Sequence, residues 1–245
     1  MVAVLYDIHG NHLALEAVLQ EVRTEGVDRV LVGGDVFPGP HGLAVLEALD
    51  ALPVPVDFIS GNGDADVAAV HAGSMPKRVP TPVRPLLEWV AAGIDSPVAE
   101  RIRSWPRTRT LSVGGLGPVL FCHATPDSDS PIFTEDTSEE ALIPVFGSVE
   151  QRTVFCGHTH LPFQRTVRET RVVNPGSVGL PFDAPEAAWA ILGDGVQLRR
   201  TPYPVNEARA LAVQTGYPGD FPMEPPGREA MLERYAPVEI GRRPG

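Results

Sequence analysis

The chain has 245 residues, 43% of them hydrophobic, and its 31 acidic against 20 basic side chains give a formal net charge of −11. That length and apolar content support one substantial core and a single domain, while the acidic balance argues against nucleic acid as a general partner, because backbone phosphates are met with Lys and Arg. No run of about twenty apolar residues is present, so no membrane-spanning helix is expected. Residues 1–6 carry no basic leader and read as structure rather than as a signal peptide. A cytoplasmic location follows, with Cys122 and Cys156 as buried reduced thiols in place of a disulfide.

The first third reads as β-α-β-α-β. Residues 2–6 form a continuous apolar run with β-branched side chains, suited to a strand covered on both faces. Leu13, Leu15, Val18, Leu19 and Val22 then recur near helical spacing. Residues 29–32 predict a second strand ending at Gly33-Gly34-Asp35, residues 43–49 a second helix, and residues 54–59 a third strand before Ser60-Gly61-Asn62. Residues 65–105 read as a helical flank, in which Thr81-Pro82 and Ser96-Pro97 each pair an N-cap residue with proline at the first helical position. The second half turns to strands: 110–113 and 119–122 about a Gly114-Gly115 turn, then 154–156, 163–167, 171–173, 188–192 and 196–200. Residues 206–213 suit a last helix, closing a domain that spans 1–216. The four prolines between 218 and 226 make 217–245 a Pro-rich tail, packed on or extending from that domain, with a short helix near 228–235.

Metal-ligand residue types fall after the apolar runs, as Asp7-Ile8-His9, Gly34-Asp35, Gly61-Asn62, Cys122-His123 and Gly157-His158-Thr159-His160. Two carboxylates, one amide oxygen and four imidazoles are hard or borderline ligands suited to divalent first-row metals. Strand side chains repeat every second residue, so Asp7 and His9 share a face, as do His158 and His160. Seven such groups suit two metals that share a carboxylate better than one tetrahedral ion, and a metal pair is a known solution for displacing an oxygen from phosphorus. Each residue also has a plainer reading. Asn62-Gly63 is a common turn pair, Asp64 is as well placed to cap a helix as to reach a site, and His123 alone would be an ordinary buried imidazole. His12, His41 and His71 read individually as surface or packing residues. Burying Asp7 straight after an apolar run, however, is costly without a strong partner.

In their order these motifs resemble the calcineurin-like metallophosphoesterases, and among them the small stand-alone prokaryotic phosphodiesterases. The family pattern D-x-H, G-D, G-N-x-D/E, a lone His after a strand and G-H-x-H stands here as Asp7-Ile8-His9, Gly34-Asp35, Gly61-Asn62-Gly63-Asp64, His123 and Gly157-His158-Thr159-His160. Asn174-Pro175-Gly176-Ser177-Val178-Gly179 matches a further segment common in that branch, and the similarity runs from about residue 1 to about residue 205. The resemblance implies a four-layer α-β-β-α sandwich of two mixed sheets with flanking helices. It also implies that Asp7, His9, Asp35, Asn62, His123, His158 and His160 hold two divalent ions, with Asp35 bridging. The ligand set admits Mn, Fe, Co, Ni or Zn, with manganese placed first. The activity implied is hydrolysis of a small phosphoester, a diester before a monoester, by a metal-bridging hydroxide. Asn62 would steady the phosphoryl oxygens and Asn11 would add a phosphate contact. Nothing in the sequence opposes a homo-oligomer.

One position departs from the pattern. Many relatives have a His after the Asn, which helps to protonate the leaving oxygen; here that residue is Gly63. Proton donation would then fall to water or to Asp64, His12 or His41 as further catalytic candidates. Two other readings stay open: a protein-binding scaffold with a residual metal site, like a retromer subunit of this fold, and a nuclease, which the acidic balance disfavours.

Overall fold

The apolar runs become strands whose alternate side chains enter two different cores, which is why they lack a polar face. The computed structural model describes residues 1–242. Strands β1 (Val2–Leu5), β2 (Arg29–Val32) and β3 (Val56–Phe58) lie side by side in parallel. A second sheet holds β4 (Thr108–Val113), β5 (Gly117–Cys122), β6 (Thr153–Phe155), β7 (Phe163–Val167) and β8 (Thr170–Asn174) in the order β4-β5-β6-β8-β7. The chain then returns to the first sheet through β9 (Glu186–Leu192) and β10 (Val196–Pro202), giving the order β10-β9-β1-β2-β3. Both sheets are mixed, with β5, β6 and β8 parallel to one another.

Helices α1 (His12–Thr24), α2 (Gly42–Asp50), α3 (Asn62–His71), α4 (Arg84–Gly93) and α5 (Ser96–Ser104) share one core with the outer face of the first sheet, where Ala3 and Leu5 meet Leu15, Val18 and Leu19. Between the sheets, Val4, Tyr6 and Leu31 pack on Phe121, Phe155 and Val173. Beyond the second sheet, Val154, Cys156 and Phe163 meet Leu142 and Phe146 of α6 (Glu139–Phe146). Three cores separate four layers, which is the α-β-β-α sandwich. Cys122 and Cys156 are free and buried. No helix among the described residues is long and apolar enough to cross a membrane.

Local expectations needed three corrections. Asp95, not Ser96, caps α5, its carboxylate accepting from Val98 N at 2.9 Å. Thr81 opens only a 3₁₀ turn, Thr81–Val83, ahead of α4. Helix α6 was not foreseen, because eight residues with Pro144 inside show little periodicity. Its signals were Ser138, whose side chain accepts from Ala141 N at 3.4 Å, and the acidic first turn of Glu139 and Glu140.

Past α7 (Val205–Thr215), the tail carries α8 (Arg228–Tyr235) and returns to the second sheet's loops. Gly227 N donates to Phe182 O at 2.9 Å, Arg228 Nη2 to Pro162 O at 2.7 Å and Ile240 N to Ile132 O at 2.9 Å. The last three residues of the expected tail, 243–245, lie outside the described residues.

Two side chains tie the sheets together. Buried Asp57 on β3 pairs with Arg29 of β2 and Arg109 of β4. Tyr6, just past β1, crosses the inter-sheet core and donates its hydroxyl to Cys122 O at 3.0 Å and Phe155 O at 3.1 Å. Its ring fills space left by Gly33 and Gly157, where any Cβ would overlap it. Tyr6→Phe should lower the unfolding free energy by about 1–3 kcal/mol, since two buried carbonyls lose their shared donor. Denaturant unfolding of the metal-free protein measures this, and an unchanged midpoint would show that the carbonyls find other partners.

Candidate metal centre

Every ligand motif leaves the C-terminal end of a strand. Asp7 and His9 follow β1, Asp35 follows β2, and Asn62 opens α3 after β3; His123 follows β5, and His158 and His160 follow β6. Five of these seven adopt a left-handed backbone, with φ of 54° at Asp7, 46° at His9, 52° at Asp35, 68° at His158 and 58° at His160. For residues other than glycine such a conformation costs on the order of 1–3 kcal/mol each and persists only where its surroundings impose it. Here the loops are stitched to one another: Asp7 N donates to Gly34 O at 3.1 Å, His9 N to Asp35 O at 2.9 Å and Gly157 N to His123 O at 2.6 Å. The 174–179 segment completes the frame, with Ser177 Oγ donating to Asp7 O at 2.7 Å and Val178 N to Tyr6 O at 2.9 Å. Sequence reading missed this clustering of strain, which no local signal announces.

The four imidazoles are oriented from behind by backbone carbonyls. His9 Nδ1 meets Pro38 O at 3.2 Å, His123 Nδ1 meets Gly33 O at 3.0 Å, His158 Nε2 meets Ser130 O at 3.1 Å and His160 Nδ1 meets Leu180 O at 2.7 Å. A carbonyl only accepts, so each of those nitrogens carries the ring proton and the other nitrogen presents a lone pair. The lone pairs converge. His9 Nε2 and His160 Nε2 are 3.2 Å apart, and His123 Nε2 is 3.1 Å from Asn62 Oδ1. Acceptors at such distances repel unless a cation lies among them. With the Asn62 amide turned about, its NH₂ would donate to His158 Nδ1 at 2.9 Å and to His123 Nε2. The oxygen-inward orientation therefore suits a cation, and the NH₂-inward one a site without it.

Both carboxylates lie between the two groups of imidazoles. Asp35 directs Oδ2 toward His9 Nε2 at 3.7 Å and Oδ1 toward His123 Nε2 at 3.6 Å. Asp7 Oδ1 lies 3.5 Å from His160 Nε2 and 3.8 Å from His123 Nε2, and it is buried with no hydrogen-bond partner. Asp7, His9 and His160 form one triad of potential ligand atoms within 4.8 Å, and Asp7, Asp35 and His123 form another. This set of nitrogen and oxygen donors fits divalent cations. Burial, with the neighbouring imidazoles, pushes His9 and His158 down to about 3, so both rings are neutral and able to ligate. At Asp7 burial raises the carboxyl, but His160, His123 and His9 outweigh it and hold the group below the usual range. Asp35, buried beside Asp7, is pushed well above that range.

The remaining candidates stand around this centre. Asn62 is the first residue of α3 rather than part of a turn. Asp64 caps α3 and holds the Asp35 loop: Oδ2 accepts from Asp35 N at 2.7 Å and Gly61 N at 3.0 Å, and Oδ1 from Phe37 N at 2.9 Å. Burial and the Asp35 charge push Asp64 up to about 8, against the Phe37 and Gly61 amides that favour the charged form. Asn11 spends its amide on the backbone, donating to Gly179 O at 2.8 Å and accepting from Ala14 N at 3.2 Å. His12 and His41 join neither triad and instead line a cavity of about 60 Å³ with Asn11, Leu211 and Phe221. Gly63 donates to Asp35 Oδ1 at 2.7 Å, and a Cβ there would overlap Phe37 O and sit 2.7 Å from Pro38 Cδ. The departure at this position thus has a packing reason, because no side chain fits.

Metal ligation needs both carboxylates ionised. Because burial beside Asp7 raises the Asp35 carboxyl and ligation draws on its ionised form, metal loading should release protons and affinity should rise with pH. Calorimetry in two buffers of different ionisation enthalpy reads this directly. A binding enthalpy independent of buffer would mean that Asp35 is already ionised.

The calcineurin-like phosphoesterase superfamily domain matches residues 1–193. An uncharacterized protein of Methanocaldococcus jannaschii is 24% identical over 237 residues, covering 89% of this chain and 94% of that protein. A metallophosphoesterase structure from Sphaerobacter thermophilus superposes with a TM-score of 0.69 at 22% identity, over 96% of this chain and 97% of that one. A hypothetical protein from Pyrococcus horikoshii OT3 gives 0.73 at 19% identity, over 99% and 100%. At such identities the structural likeness is one of fold.

Proposed function

Because the chain belongs to the calcineurin-like phosphoesterase superfamily, we propose that it hydrolyses small phosphodiesters with two divalent ions. Asp7, His9, Asp35, Asn62, His123, His158 and His160 would be the ligands. The observation that carries this reading is the orientation of the imidazoles: four rings each give a proton to a backbone carbonyl and turn a lone pair toward two buried carboxylates. Fixing the tautomer from behind in this way is the usual outer-shell support of a metal-binding histidine. His9 and His160 would serve one ion and Asn62, His123 and His158 the other, with Asp35 spanning both through its two oxygens. Such ions supply Lewis acidity toward a phosphoryl oxygen and bring the pKa of water toward neutrality. The donor set does not choose among Mn, Fe, Co, Ni and Zn.

The chain's own residues set the preference for substrate. Two carboxylates only partly offset two divalent charges, so the cleft attracts a phosphate even though the chain as a whole carries −11. None of the candidate acids is placed to protonate a leaving oxygen, since position 63 is glycine, Asp64 is occupied by three backbone donors, and His12 and His41 open on another cavity. General-acid help is worth about 10²–10⁴-fold, and its lack falls hardest on poor leaving groups. An aryl or otherwise activated diester is therefore the favoured class, and simple alkyl monoesters are the poorest. A protein-binding scaffold would have no use for five strained ligand positions and four aligned imidazoles.

A leaving-group series on metal-loaded protein tests the proposal. Rates on aryl diesters should fall steeply as leaving-group pKa rises. Rates independent of that pKa, with chemistry limiting, would reveal an acid that this reading omits. In the same assay Asp35→Asn should keep the fold, because Asp64 grips the backbone there, and should lower kcat by about 10³-fold, the several kcal/mol at stake in metal-assisted charge stabilisation. Near-normal turnover by that variant at saturating metal would end the two-ion proposal.

A further inference from the structure

Arg78 lies between α3 and α4, outside every motif described so far, and its guanidinium holds four residues. It donates to Asp66 Oδ1 through Nε at 3.2 Å and Nη2 at 2.8 Å, and to Asn62 O through Nη2 at 3.3 Å. Through Nη1 it reaches Asp129 Oδ1 and Ser130 Oγ, both at 3.2 Å. Asp66 is buried on α3, one turn after Asn62. The Ser130 carbonyl is the one that faces His158 Nε2 at 3.1 Å. The loop from His123 to Ser130 is pinned once more where Arg107 Nη2 donates to Asp127 O at 2.6 Å.

We infer that Arg78 is the positioning residue for the Asn62–His123–His158 half of the metal centre, a role that rests on the two-ion reading above. The three ligands of that half come from the start of α3, the loop after β5 and the loop after β6. Their spacing is therefore set by whatever holds α3 to the 124–130 loop, and Arg78 bonds to both. As an ion pair alone, a side chain 42% exposed would contribute little, because solvent screens it. Its effect is geometric: a planar fork of five donors fixes several acceptors at once, which a lysine cannot do. Removing it also sets Asp66 against Asp129, both of which face it, and their repulsion drives the Asn62 backbone and the Ser130 carbonyl apart. The other half, His9 and His160, is braced by Pro38 O and Leu180 O and has no part in this contact.

The test is a metal titration followed by calorimetry and, for cobalt(II), by visible absorption. Wild-type protein should take two ions. Arg78→Ala should weaken one of the two steps about tenfold or more, the range for loss of an outer-shell partner, and leave the other unchanged. Arg78→Lys should fall between the two proteins and serves alone if the alanine variant does not fold. Arg101→Ala, which removes a surface ion pair with Asp50 on the same helical flank, should change neither step. Two ions bound by Arg78→Ala or Arg78→Lys with wild-type affinity overturn the inference, as does equal weakening of both steps. A raised KM with normal metal binding would make Arg78 a substrate contact instead. Fewer than two ions on the wild type would defeat the two-ion reading itself, a result distinct from any of these.

Discussion

Mutual repulsion among buried acceptors is the constraint on which this molecule is built. Asp7, His9, Asp35, His123 and His160 are buried, Asn62 and His158 lie half-buried beside them, and His9 Nε2 and His160 Nε2 approach to 3.2 Å. Left free, such groups would separate. Here the separation is blocked by carbonyls that fix each ring, by Asp64 gripping three backbone amides, and by loops bonded to one another. The sandwich serves this purpose, since parallel strands in both sheets deliver their loops to one region and Tyr6 locks the sheets at that end. Folding free energy is stored as strain at Asp7, His9, Asp35, His158 and His160, and a bound cation would relieve the electrostatic part of it.

What could be read from the sequence follows from how many layers a residue senses. Runs such as Val2 to Tyr6 announce strands because both faces are covered, and that is a property of composition alone. The side chains that converge at the candidate centre could be picked out because their types are costly to bury and because each follows such a run. The left-handed backbone was not, since Asp and His have no local reason to adopt it and only the assembled loops impose it. Asp64 illustrates the limit. Its two plain readings, a helix cap and a group near the site, are both realised, yet its hold on Asp35 depends on a loop twenty-nine residues away in sequence. Arg78 gave no signal at all, because its partners lie up to fifty-two positions along the chain. Helix α6 was hidden for the opposite reason, being too short for periodicity to show.

The glycine at position 63 shows how packing can decide chemistry. The loop after Asp35 folds down so that Phe37 O and Pro38 occupy the volume a side chain would need, and Gly63 N is turned to Asp35. The packing that brings Gly63 N to the proposed bridging carboxylate therefore leaves no room for a side chain at position 63. Precision in holding the acceptors and help for the leaving group compete for one site, and this chain resolves the competition in favour of the acceptors.

The division of ligands between the sheets has a mechanical side. Asp7, His9, Asp35 and Asn62 hang from the first sheet, and His123, His158 and His160 hang from the second. Each half of the proposed centre draws on both. An ion in either place would be a cross-link between the layers, joining residues 151 positions apart at His9 and His160 and 61 apart at Asn62 and His123, much as a disulfide would, but reversibly and in proportion to free metal. Resistance of the sandwich to opening, and so to proteolysis along its seam, would then be governed by metal supply as well as by sequence.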